Sequence, residues 1–251
     1  MPLCLIVTLI EHREETMKVA VITGASRGIG ACVAEGLASD GYALAVAARS
    51  EDALGKVAER IKKNLKDRAP HVVAYPLDVR DHKAVEAMIT SVKSEFGRID
   101  LLFNNAGIAK LGVVDEVEIE DFEEVLSTNL KGAFYFLKAV VPVMKKQRSG
   151  TIINIASDAG KTGYAGWGAY CASKFGLVGL SESLYKELSP YGVKVTAICP
   201  GWVDTDIAEV SGLTREEMIS PKDILSTVRW LLSLSSAAVV KELAIACSNE
   251  A

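Results

Sequence analysis

Hydrophobic and polar positions along this chain follow two alternating rhythms. Short runs of Val, Ile, Leu and Ala have the continuous apolar character of strands buried on both faces. They fall at residues 18–23, 42–47, 71–75, 101–104, 151–156, 193–198 and 240–246. Between them, apolar residues recur with the 3.6-residue period of helices over 28–39, 51–65, 82–96, 119–146, 168–189 and 221–233. Regular alternation of strand and helix predicts an α/β protein with one doubly wound, seven-stranded, mostly parallel sheet carrying helices on both faces. Ligands of such sheets bind beyond the carboxyl ends of the strands, where the winding reverses. Residues 23–30, 104–107, 157 and 200–205 all follow predicted strand ends, so they are expected on one rim.

No repeat or linker interrupts residues 17–251, which read as a single domain. Residues 1–16 form an extension. Its apolar run, Leu3 to Ile10, is far shorter than the roughly 20 residues of a bilayer helix and lacks a basic leader or cleavage site. The preferred reading is a start assigned too early, with Met17 the initiator; the alternatives are an added edge strand or an interfacial anchor.

The 251 residues are 49% hydrophobic and 24% charged, enough for a full core without staples. A net charge of -4 with dispersed Lys and Arg gives no footprint for nucleic acid, and no membrane partner is indicated. Five cysteines without a Cys-x-x-Cys pair suggest neither a disulfide framework nor zinc, and fit a cytoplasmic protein. His12, His71 and His82 lack metal-ligand spacing, so no metal is expected.

Two constellations carry chemistry. Gly24, Gly28 and Gly30 punctuate the junction of the first strand and helix; such a turn lets a pyrophosphate approach the backbone and the free helix amides, although strand-turn-helix units also use glycine for structure alone. Tyr170 and Lys174, four apart, share a helix face, and Ser157 lies thirteen residues earlier at a strand tip. Each has a bland reading as a surface or capping residue. Asn129, a poor helix former inside the long helical stretch, needs a reason to be there.

Taken together, Thr23-Gly-Ala-Ser-Arg-Gly-Ile-Gly30, Asn104-Asn-Ala-Gly107, Asn129, Ser157, Tyr170-Cys-Ala-Ser-Lys174 and Pro200-Gly201 with Thr205 resemble the short-chain dehydrogenase/reductase family. The resemblance runs from Met17 to about the C-terminus, in order and in spacing. It implies a Rossmann fold and a nicotinamide dinucleotide bound by Gly24, Ser26, Arg27, Gly28, Ile29 and Gly30 at the turn. Asp78 and Val79 are then expected around the adenine, with the Asp78 carboxylate accepting from its amino group. Asn105, Ala106 and Gly107 would line the ribose side, and Pro200, Gly201, Val203 and Thr205 the carboxamide.

The second strand leads into Ala47-Ala48-Arg49-Ser50, where a dinucleotide fold that prefers NAD places a carboxylate. Arg49, helped by Arg27, is expected to grip the 2′-phosphate of NADP(H) instead. A solvated arginine at a strand end is the plain alternative.

By the resemblance, Tyr170 is the general acid of carbonyl reduction, Ser157 orients the substrate oxygen, and Lys174 also binds the nicotinamide ribose. Asn129 would hold a water near Lys174. An ammonium at about 4 Å supplies roughly the 4 kcal/mol needed to bring a phenol from about 10 to near 7, so a lowered Tyr170 is expected. The substrate is expected to be a small ketone or aldehyde, with a 3-oxoacyl thioester as the leading guess. An acyl-carrier partner is doubtful: Arg148 fits that role but Tyr191 does not, and the tail is short. The lid, 206–219, would be edged by Tyr164, Trp167 and Trp202. The rival readings are a dehydrogenase working oxidatively and a non-catalytic NADP sensor. Small residues at Ala133, Ala139, Gly176 and Gly179 would let two helices pair with a second copy, giving a homodimer or homotetramer.

Overall fold

The structure, a computed structural model, describes residues 17–248; the extension, 1–16, lies outside them. Seven strands form one sheet: β1 (Val19–Thr23), β2 (Ala43–Ala48), β3 (Val72–Pro76), β4 (Leu101–Asn104), β5 (Gly150–Ile155), β6 (Val193–Pro200) and β7 (Glu242–Ile245). Their order is β3-β2-β1-β4-β5-β6-β7, with every neighbouring pair parallel. The winding reverses between β1 and β4, so their carboxyl ends flank the crevice where such sheets take ligands.

Strand residues alternate between two cores. Ile22, Leu44, Val46, Phe103 and Ile153 pack with α1 (Gly28–Ser39), α2 (Glu51–Leu65) and α7 (Pro221–Ser233). Val21, Ala43, Ala45, Leu102 and Ile152 pack with α3 (His82–Phe96), α5 (Ala133–Gln147) and α6 (Gly168–Leu188). Both faces of the central strands are therefore dry, which explains why those strands read as continuous apolar runs rather than as alternating ones.

The predicted helix over 119–146 is not one α-helix. It divides into α4 (Ile119–Leu126), a π-helical turn from Ser127 to Gly132, and α5. At the end of the turn Gly132 packs so closely that an added Cβ would lie 2.8 Å from Val79 Cγ2, and within it Asn129 points inward to buried polar partners. Single π-turns inside helices are common at functional sites.

Among the described residues no helix is long and apolar enough to cross a membrane. No cluster of His, Cys, Asp or Glu suited to a metal occurs among them either. His71 pairs with Glu95 at 3.3 Å and packs on Phe96, while His82 stands edge-on to Tyr135. Cys32, Cys171, Cys199 and Cys247 are free thiols.

Candidate active site

A cleft of about 880 Å³ opens at the carboxyl ends of the strands, within the range for small-molecule and cofactor sites. At its centre, β5 ends at Ile155 and hands the chain to Ser157, and the first two turns of α6 bring in Tyr170 and Lys174. All three are buried. Lys174 Nζ donates to the Ile155 carbonyl at 2.8 Å and lies 5.4 Å from the centre of the Tyr170 ring.

Burial dominates the electrostatics here. It pushes the Tyr170 phenol up to about 12, against a lowering by a hydrogen bond with Ser157, and pulls Lys174 down to about 8. The expected lowering of Tyr170 is thus corrected: desolvation of a phenolate outweighs an ammonium that spends a hydrogen bond on Ile155. Tyr170 in this cleft is a phenol, the form that can give a proton.

Asn129 does not line the cleft. Its Oδ1 accepts from the Ile108 amide at 2.8 Å, and its Nδ2 donates to the Ile108 carbonyl at 2.9 Å and to Ser173 Oγ at 3.0 Å. The side chain is committed to protein partners. It ties the loop after β4 to α6, and Gly107 passes so close that an added Cβ would sit 3.3 Å from Asn129 Oδ1 and 3.6 Å from Lys174 Nζ.

At the other end, the turn after β1 leaves the start of α1 without a side-chain cap, so the amides of its first turn are available to an anion. Gly24, Ser26, Arg27, Gly28 and Ile29 line the cleft there. Gly30 does not, and its role is packing: a Cβ would meet the Gly24 carbonyl oxygen at 2.3 Å. Gly24 and Gly28 both have positive φ, 64° and 54°, where a side chain is strained. Thr23 Oγ1 accepts from the amides of both Asn105 and Ala106, at 2.9 and 3.0 Å, and so pins the loop Asn105–Gly107 beside the turn. The signal for that role was the hydroxyl residue at the tip of an otherwise apolar strand.

Three further expectations meet the geometry here. Arg49 is exposed at the tip of β2 and lines the cleft, with no carboxylate on that tip. Arg27 instead forms an ion pair with Asp206 at the start of the lid. Asp78 lines the cleft with Val79, but both its oxygens are taken by Arg80, Nη2 to Oδ2 at 2.6 Å and Nε to Oδ1 at 3.0 Å. That hydrogen-bonded guanidinium holds the Asp78 carboxyl below its usual range. Carboxylates have further lone pairs beyond those that Arg80 takes.

The sequence pattern of the short chain dehydrogenase family matches residues 18–216. The chain belongs to that family. It is 37% identical over 228 residues to an uncharacterised oxidoreductase of Staphylococcus saprophyticus, covering 91% of this chain and 96% of that one. It is 38% identical over 226 residues to the 3-oxoacyl-[acyl-carrier-protein] reductase of Haemophilus influenzae, covering 86% and 90%. Among solved structures, the alcohol dehydrogenase of the archaeon Thermococcus sibiricus, complexed with 5-hydroxy-NADP, superposes with a TM-score of 0.83 at 35% identity, covering 91% of this chain and 96% of that one.

In this member of the short chain dehydrogenase family the cleft is also lined by Pro200 at the end of β6 and by Gly201, Val203 and Thr205 after it, followed by a 3-10 segment from Asp206 to Ser211. A lone bridge from Val203 to Ile219 ties the far end of the lid back. Trp167 packs edge-on against both Tyr170 and Trp202, with ring centres 5.6 and 5.5 Å apart. These aromatics wall the cleft as expected, and Tyr164 joins them. Asp158, which sequence reasoning passed over, stands among them; adjacency to Ser157 was its only signal. Arg148, weighed as an acyl-carrier contact, caps α5 with positive φ and donates to the Pro190 carbonyl at 3.1 Å, a task within the chain.

Proposed function

We propose that the chain is an NADP(H)-dependent carbonyl reductase of the short-chain type, reducing a ketone or aldehyde to an alcohol. The observation that carries this reading is one cleft holding a buried Tyr170 phenol, the Ser157 hydroxyl and the Lys174 ammonium at one end and Arg49 at the other. The uncapped start of α1, the close Gly24–Gly30 contact and the small residues Ala106 and Gly107 fit a dinucleotide.

When bound, a reduced nicotinamide would supply the hydride to the carbonyl carbon. Ser157 Oγ turns its proton from Asp158 Oδ1 to the substrate oxygen, and Tyr170 Oη gives that oxygen its proton as charge develops there. Lys174 steadies the phenolate left behind and binds the nicotinamide ribose. Burial keeps Tyr170 protonated above neutral pH, the form that donates in the reductive direction. Asn129 acts by holding Ile108 and Ser173, and through them the walls around Lys174.

At the adenosine end, Arg49 pairs with the 2′-phosphate. Charge-assisted hydrogen bonds to such a group correspond to a preference of about 10-fold or more over NADH. Turnover of NADPH against NADH with 3-oxoacyl thioesters, diketones and aldehydes, run beside Tyr170→Phe, tests the reading. NADPH-dependent reduction lost in the variant supports it, whereas cofactor binding without turnover of any carbonyl points to a sensor.

The working form is a homodimer or homotetramer paired through α5 and α6, in the cytoplasm. Phe134 and Phe175 are both 46% exposed on those helices. Gly179 has open space above it, while Gly176 already packs on Leu130 within the chain. Light scattering that finds only monomer at micromolar concentration would remove this assembly.

A further inference from the structure

Three carboxylates line the cleft: Asp78, Asp158 and Asp206. Arg80 neutralises Asp78 and Arg27 neutralises Asp206. Asp158 has no such partner among the described residues. It is held by neutral donors only: Ser157 Oγ donates to Oδ1 at 2.9 Å, the Ala159 amide to Oδ1 at 2.7 Å, and the Tyr164 hydroxyl to Oδ2 at 2.6 Å. Its charge reaches Tyr170, where it helps to keep the phenol protonated.

A carboxylate fixed in this way is a built feature of the substrate end. Three donors occupy part of its acceptor capacity, which is about four lone-pair sites, so one direction remains for a ligand. Asp158 Oδ1 lies 2.9 Å from Ser157 Oγ, the hydroxyl assigned to the substrate oxygen, so a substituent next to the reacting carbonyl comes within reach of this carboxylate. Trp167 and Trp202 offer the rest of the molecule an apolar, aromatic wall.

We propose that Asp158 determines the substrate class, selecting ketones that carry a hydrogen-bond donor, a hydroxyl or an ammonium, on the carbon next to the carbonyl. An anionic substituent there meets like charge. A thioester carbonyl presents an acceptor to an acceptor, so the 3-oxoacyl thioesters reduced by the Haemophilus influenzae relative fit this position poorly. Sites built to pair a substrate hydroxyl discriminate strongly against analogues that lack it, because a polar group is otherwise left without a partner. The assignment rests on the carbonyl-reductase reading above.

Aryl ketones of one framework test it with NADPH: 2-hydroxyacetophenone, propiophenone (a methyl in place of the hydroxyl) and benzoylformate (a carboxylate beside the ketone). Asp158 also orients Ser157, but that effect falls on all three ketones alike and cancels in their kcat/KM ratios. The wild type should favour 2-hydroxyacetophenone over propiophenone by about tenfold or more, and disfavour benzoylformate by a similar factor. Asp158→Asn and Asp158→Ala should each raise benzoylformate relative to propiophenone by about tenfold. Ratios unchanged in both variants while propiophenone is still reduced would overturn the assignment and leave the reductase reading intact. A wild type that reduces none of these ketones, nor any thioester or aldehyde, would remove both.

Discussion

Lys174 Nζ lies 5.4 Å from the centre of the Tyr170 ring, yet its hydrogen bond goes to the Ile155 carbonyl at the end of β5. The ammonium is therefore anchored by the sheet and presented to the phenol, rather than paired with it. Burial brings Lys174 down to about 8, so its charge is lost as pH rises through that value. Reductive kcat/KM should be level below about pH 7 and fall through about 8, because neutral Lys174 no longer steadies the Tyr170 phenolate. A profile flat to pH 9.5 would count against this role.

The same burial makes Lys174 a cost to stability. Its folded value of about 8 lies below the 10.5 of the exposed group, so between those values the unfolded chain binds more protons and stability rises with pH. Lys174→Met should abolish turnover yet stabilise the fold at pH 6.5 by about 1–3 kcal/mol, allowing for the Ile155 carbonyl left without its donor. The gain should shrink by roughly 2 kcal/mol at pH 9.5, as urea unfolding at the two pH values would read. A variant less stable than the wild type at pH 6.5 contradicts the cost.

Most of this was legible in the sequence, for a physical reason. Strands buried on both faces are drawn to apolar residues throughout, and β2, Ala43 to Ala48, announces itself in that way. Residues at strand tips are drawn to one rim by the parallel sheet, which is why Gly24, Ser157 and Gly201 line one cleft despite their separation along the chain. What stayed hidden depends on tertiary contact. The π-turn around Asn129 goes with a hydrogen-bond partner, Ile108, twenty-one residues away. Periodicity alone reads straight through it. Likewise the reach of Arg27 to Asp206 and of Arg80 to Asp78, which decides which carboxylate is left uncompensated, has no local signature.

Asn129 holds three hydrogen bonds while fully buried. Asn129→Ala leaves both backbone groups of Ile108 without that partner, and each unsatisfied buried group costs about 1–3 kcal/mol. The variant should lose about 2–4 kcal/mol in urea unfolding and show lower kcat with little change in the NADPH KM, since Arg49 and the turn of α1 are untouched. A loss confined to NADPH binding would speak against a positioning role.

Arg49 stands exposed at the tip of β2, so its contribution is one of selectivity rather than stability. Arg49→Ser should lower kcat/KM for NADPH by about 10- to 100-fold while leaving NADH within a few-fold, with the melting temperature unmoved. Adding a carboxylate at the same tip, Arg49→Asp, should go further and invert the preference, because an acid there accepts from ribose hydroxyls and repels a phosphate. If Arg27 bore the phosphate instead, Arg49→Ser would leave the ratio unchanged. Arg27→Ser would then collapse it, and Asp206→Asn, by releasing Arg27 from its ion pair, would sharpen it.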